Sequence, residues 1–244
     1  MEKEDLTEGK AARRQEPMTK NLCIIPARGG SKRIPRKNIK DFLGKPIIGY
    51  SIEAAINSGL FDKVMVSTDD EEIANVAISQ GASIPFMRSK ENSNDFATTL
   101  DVVKEVLATY KKLGEAFENV CVIYPTAPFI EIEKLKEGYD KLKTANAAIS
   151  VTEFSYPIWR SFKLKLGEVT YQWPEYEKSR SQDLQNLFHD AGQWYWIITN
   201  CIKDSLVAQK TAAVILSNLE VQDIDTLEDW RIAEMKYEYL QSIK

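Results

Sequence analysis

The chain has 244 residues, 43% hydrophobic and 28% charged, which gives enough apolar surface for a sizeable core and too much for wholesale disorder. Its 32 basic and 36 acidic side chains leave a net charge of −4, which argues against general binding to nucleic acid or anionic membranes. A single histidine, His189, excludes multi-histidine zinc sites, and three scattered cysteines without a CxxC pair suit a reducing cytoplasm. No membrane span or signal-peptide core is expected, because no run approaches about 18 apolar residues.

Residues 1–17 carry nine charges and one aliphatic anchor, Leu6, and are expected to be a disordered extension, with Met18 as the natural start. Leu22-Cys23-Ile24-Ile25, stopped by Pro26, suits a buried strand. A basic loop follows. Pro46 then opens a helix to Ser58, with Gly59 as its stop. Residues 64–66 read as the next strand, 70–80 as a helix closed by Gly81, and 83–87 as a third, short strand. Thr98 can cap a helix on which Leu100, Val103, Leu107 and Tyr110 recur at helical spacing. Residues 120–123 are a strand, and 131–143 a helix with Ile132, Leu135, Tyr139 and Leu142 on one face. Another strand follows at 148–151.

Residues 154–196 break this rhythm: they are aromatic, proline-punctuated and rich in turns, and read as an insertion within a single domain spanning 18–244. Its aromatics Trp159, Phe162, Tyr171, Trp173 and Tyr176, with Trp194, Tyr195 and Trp196, are too dense for solvent and suit core or subunit interface. Alternation returns with strands at 194–198 and 212–216 and a helix at 226–240. The pattern implies an α/β fold, a three-layer α/β/α sandwich around a mostly parallel sheet.

In such sheets ligands bind where strand ends meet loops. The first junction, residues 26–38, holds five cations (Arg28, Lys32, Arg33, Arg36, Lys37), and no acid occurs between Leu22 and Lys40. Gly29-Gly30 lets backbone N–H groups turn inward and Ser31 adds a hydroxyl, so the loop can wrap a polyphosphate. It matches neither the dinucleotide fingerprint nor the P-loop. For cations alone, a solvated basic loop is an equally good reading. Farther on, Asp223 and Asp225 would point the same way from an extended stretch and suit Mg²⁺ with phosphate oxygens. Taken alone, Asp225 before Thr226 reads better as a helix cap.

The run I-P-A-R-x-G-S-K-x-x-x-x-K-N at residues 25–38 resembles the signature of the acylneuraminate cytidylyltransferases, the CMP-sialic acid synthetases and their relatives. Collinear likenesses follow: Val66-Ser67-Thr68-Asp69; Arg88 with residues 94–98; Pro125-Thr126-Ala127-Pro128; Arg180-Ser181-Gln182; and Asp223-Ile224-Asp225-Thr226. The likeness runs from about Lys20 to Leu240, and residues 88–98 and 189–193 are most similar to the members acting on pseudaminic acid.

That resemblance implies a Rossmann-like nucleotidyltransferase sheet, with Arg28, Gly29, Gly30, Ser31 and Lys32 on the CTP phosphates and Lys37 and Asn38 completing the pocket. Arg88, Asp95 and Thr98 would border cytosine and ribose, and Asp223 and Asp225 would hold Mg²⁺. Arg28, Lys32 and Asp225 would carry the catalysis. Tyr124, Thr126, Arg180, Gln182, His189, Asp190 and Gln193 would contact the sugar. His189 is as readily a structural hydrogen-bonder, and Arg180 a surface ion pair. The sialic-acid enzymes carry glutamine at Tyr124, arginine at His189 and asparagine at Ala191, which argues for a related nonulosonic acid. The implied reaction joins CTP and pseudaminic acid into the CMP-sugar with release of pyrophosphate; N-acetylneuraminate, legionaminate or Kdo is the rival substrate. A nucleotide-binding module without turnover is the rival class. The resemblance also implies a homodimer through the insertion, and no nucleic-acid or membrane partner.

Overall fold

Strand β1 (Asn21–Pro26) is buried on both sides, and this dictates helices above and below it. Cys23 and Ile25 enter one apolar cluster and Leu22 and Ile24 the other, the two-residue alternation of a strand. The computed structural model describes residues 20–243, so the expected extension at 1–17 lies outside the described residues.

After β1 a short ladder pairs β2 (Asp41–Phe42) with β3 (Lys45–Pro46), and α1 (Ile47–Ser58) ends at Gly59, whose φ of 65° needs no Cβ. Next come β4 (Lys63–Ser67), α2 (Glu71–Ser79), α3 (Thr99–Lys112), β5 (Asn119–Ile123), α4 (Ile132–Lys141) and β6 (Ala147–Glu153). An excursion then carries the small hairpin β7 (Phe162–Lys165) and β8 (Glu168–Tyr171). The chain returns through β9 (Phe188–Ile198), β10 (Thr211–Leu216) and α5 (Leu227–Ser242). The main sheet has the order β10-β6-β9-β5-β1-β4 and is parallel except for β9, which runs antiparallel to both neighbours.

Helices α1, α2 and α4 pack on one face through Ile48, Ile52, Ala55, Ile73, Ala77 and Leu135. Helix α3 covers the other with Val102, Val103, Val106 and Tyr110. This is the expected three-layer sandwich. Helix α5 lies apart, placing Trp230 and Ala233 on Ile34, Phe42 and Ile47. Two capping boxes start α3 and α5: Thr98 with Asp101, and Thr226 with Asp229.

Two expectations change. Residues 83–87 make only the single bridge Met65↔Ser83, because Pro85 has no N–H to extend a ladder. The insertion ends at residue 187, not 196, since β9 begins at Phe188 and joins the centre of the sheet. The aromatics divide accordingly. Trp194, Tyr195 and Trp196 are buried in the core, whereas Trp159 packs on Trp173 and Tyr176 within the excursion.

Gly138 on α4 marks a close approach to that core, since a Cβ there would lie 2.5 Å from the buried Trp194 ring. Alanine is the better helix former by about 1 kcal/mol, but overpacking a rigid indole costs about 1–3 kcal/mol. Gly138→Ala is therefore expected to lower stability in urea denaturation; a gain would show that the ring moves aside freely.

Candidate active site

The loop after β1 keeps its shape through counter-charges supplied by other loops. Arg28 donates to Asn94 O at 3.0 Å and to Asp95 Oδ1 at 2.8 Å, and Lys32 reaches the other Asp95 oxygen at 2.5 Å. Arg36, in the left-handed region at φ 55°, forks onto Asp70 and also reaches Glu72. That fork lowers the Asp70 pKa to about 2. Arg33 pairs with Asp225 at 2.7 Å, and Lys37 donates to Ile224 O at 2.6 Å and lies 3.5 Å from Asp225.

Backbone contacts fix the rest of the loop. Gly29 N–H donates to Asp69, and a Cβ on Gly29 would sit 2.6 Å from Asp70, so the close approach itself demands glycine. Asn38, buried, donates its amide to Arg28 O at 3.0 Å.

Two clefts meet over this loop. The first, about 400 Å³, is lined by Arg28, Ser31, Lys32, Arg33, Lys37, Asn38 and Asp225, with Tyr124 and Thr126 from the end of β5. The second, about 490 Å³, shares Lys37, Tyr124 and Thr126 and adds His189, Asp190, Ala191, Gly192 and Asp223. One side is thus dominated by cations and the other carries carboxylates, with three residues common to both. Asp223 is exposed, Ile224 buried and Asp225 half-buried, so the two carboxylates flank an inward aliphatic side chain as an extended stretch requires.

In the second cleft Asp190 accepts from Gly192 N–H at 2.8 Å and from the Tyr195 hydroxyl. Desolvation of its carboxyl raises its pKa, with the nearby Asp223 charge adding to the effect, although the residue as a whole keeps solvent contact. Burial likewise raises the Tyr124 phenol. His189 is exposed, with Nδ1 2.8 Å from Asp190 O and its ring on Phe154.

Other expected site residues lie elsewhere. Arg88 is buried, bonded to Ser67 through Nε and Nη2, and desolvation pulls its pKa down to about 10; it lines neither cleft. Thr98 uses its hydroxyl to cap α3. Buried Gln193 donates its amide to Glu220 O at 2.6 Å, locking β9 rather than lining a cleft. Arg180 pairs with Asp183, and Gln182 lines a separate cavity within the excursion. Sequence reasoning did not single out Arg33 or Tyr195 as site residues. Arg33 lay in the quoted loop, but its partner is distant in sequence; Tyr195 gave no signal.

The cytidylyltransferase family profile matches residues 22–183. The chain is 45% identical over 223 residues to pseudaminic acid cytidylyltransferase of Campylobacter jejuni, covering 89% of this chain and 96% of that protein. It is 31% identical over 231 residues to CMP-N,N'-diacetyllegionaminic acid synthase of Legionella pneumophila, covering 90% and 97%. The solved structure of CMP:2-keto-3-deoxy-manno-octonic acid synthetase complexed with CTP has the same fold, at a TM-score of 0.65 and 16% identity over 92% of this chain and all of that one. Sequence and fold together make this chain a member of the cytidylyltransferase family.

Proposed function

We propose that this chain transfers the cytidylyl group of CTP to pseudaminic acid, giving CMP-pseudaminic acid and pyrophosphate. The observation that carries the reading is the pair of joined clefts, one rich in cations and one with hydrogen-bonding acids, sharing Lys37, Tyr124 and Thr126. Likeness to the Campylobacter jejuni enzyme supports the choice of sugar. So does the position of the departures, since Tyr124, His189 and Ala191 all line the second cleft.

In this reading Arg28, Ser31 and Lys32 bind the triphosphate, whose oxygens take the place of Asp95 on the two cations. The anomeric hydroxyl attacks the α-phosphorus; the new O–P bond forms as the bond from the α-phosphorus to the bridging oxygen breaks, pyrophosphate leaves with that oxygen, and the hydroxyl proton passes to solvent water. The cations neutralise charge on departing pyrophosphate, so positioning and electrostatics supply most of the acceleration. Lys37, at the junction of the clefts, orients the reacting phosphate. Among the described residues no three metal-ligating side chains converge, so a cage of protein ligands alone is not built. Asp223 and Asp225 fit the hard-oxygen, two-carboxylate set that Mg²⁺ shares with phosphates, and would hold it. When bound, Mg²⁺ supplies Lewis-acid neutralisation of phosphate charge.

The excursion supports a homodimer. Phe162, Leu164, Leu166 and Val169 on its hairpin are all exposed, Leu166 at 96%, and an isolated two-stranded hairpin is at best marginally stable. The three free cysteines fit a reducing compartment, the cytoplasm.

Pyrophosphate release measured in parallel with both acids tests the sugar: kcat/KM for pseudaminic acid should exceed that for N-acetylneuraminate by at least about a hundredfold, roughly 2.7 kcal/mol. Equal or reversed preference overturns the pseudaminate assignment while leaving cytidylyl transfer intact. Asp225→Asn should lower turnover by about a hundredfold or more and raise the Mg²⁺ concentration needed, with the melting temperature little changed; an undiminished rate removes the metal role. Light scattering should give twice the chain mass for the wild type and a monomer for Leu164→Asp/Leu166→Asp. A monomeric wild type would overturn the dimer.

A further inference from the structure

Asp190 and Tyr195 are five residues apart on β9, and a regular strand would send them to opposite faces. A bulge reverses this. Asp190 pairs with Val151 and Tyr195 with Ile149, so Ala191, Gly192, Gln193 and Trp194 stand opposite Ser150 alone. Gly192 makes the turn at φ 64°, and Ser150 Oγ pins it by bonding both Trp194 O and Trp194 N at 3.3 Å. The result is a shared face, on which the Tyr195 hydroxyl donates to Asp190 Oδ2 while Gly192 N–H holds Oδ1 at 2.8 Å. Tyr195 is itself fixed: it is 6% exposed, and its ring meets Tyr124 edge-on at 5.9 Å.

Each Asp190 oxygen therefore carries one protein donor, and an ionised carboxylate has about four acceptor sites. The remaining capacity belongs to a cleft whose other polar lining includes His189, Lys37 and Asp223. An ionised carboxylate can only accept, so the groups of the acid that face Asp190 are its hydroxyl or amide N–H donors and not its own carboxylate. Resting on the nonulosonic-acid reading above, we propose that Asp190 accepts hydrogen bonds from the donor substituents of the sugar acid. Tyr195, never touching the substrate, is the positioning residue that fixes the Asp190 carboxylate.

The test uses the full chain, comparing wild type, Tyr195→Phe, Asp190→Asn and the double variant by pyrophosphate release. Pseudaminic acid is varied at saturating CTP, and CTP at saturating acid. Tyr195→Phe deletes one oxygen and keeps the ring, so the melting temperature should hold. The KM for the acid should rise about tenfold or more while the CTP KM stays unchanged, the size expected for a hydrogen bond to a charged group. Because Tyr195 acts only through Asp190, the double variant should be no worse than Asp190→Asn. An unchanged acid KM in Tyr195→Phe, an equal rise in both KM values, or additive losses would overturn the positioning role. Should Tyr195→Phe fail to fold, Asp190→Asn must still show the acid-specific rise, and its absence overturns the inference. If the wild type prefers another nonulosonic acid, that acid replaces pseudaminic acid in the same comparison. Release with no such acid would sink the reading of acid transfer and this inference together, whereas a working wild type with unsplit variants sinks only the inference.

Discussion

The candidate site depends on one electrostatic constraint: a loop with five cations and no acid must find its counter-charges elsewhere in the chain. The counter-charges come from separated segments, with Asp70 and Glu72 after β4, Asp95 before α3, and Asp225 before α5. The loop is thus shaped by tertiary structure rather than by its own sequence. Most of these pairs are partly exposed, and such pairs contribute about 0–1 kcal/mol each. They arrange the cations more than they stabilise the fold.

Where local rules and packing agree, the fold was legible in the sequence. Gly59 ends α1 and Thr98 caps α3 as expected, and the apolar run at β1 is buried on both faces, whereas α5 is capped by Thr226 and not by Asp225, because the Thr226 hydroxyl and Asp229 close a capping box. The misses have local causes. Ser83 begins a strand that Pro85 cannot continue. In residues 188–193 the bulge destroys the two-residue period, so half of the central strand β9 reads as loop.

The candidate site was legible by composition more than by contact. Gly29, Ser31, Lys32, Lys37 and Asn38 stand in one contiguous motif, and the structure gathers most of them into one cleft. Arg88, Thr98 and Gln193 carry the right chemistry for ligand contact, yet each spends it on the protein: a strand end, a helix cap, a link to Glu220. Spacing cannot distinguish these uses, because the competing partner is remote in sequence. Tyr195 was invisible for the opposite reason, since its distance from Asp190 contradicts the strand period.

The place of β9 also sets the order in which the molecule can be built on the ribosome. Strands β4, β1 and β5 can associate once residue 123 has emerged, whereas β6 pairs only with β9 and β10 and finds no partner in the sheet until they are made. The facing edges of β5 and β6 stay unpaired until residues 188–198 arrive to fill the gap. For the time taken to synthesise the whole excursion, a nascent chain therefore exposes one edge of β5 and both edges of β6, flanked by apolar side chains, the kind of surface that pairs with other chains. The last central strand is a keystone. Its late arrival makes this period the one in which a chaperone would matter most to the yield of folded protein.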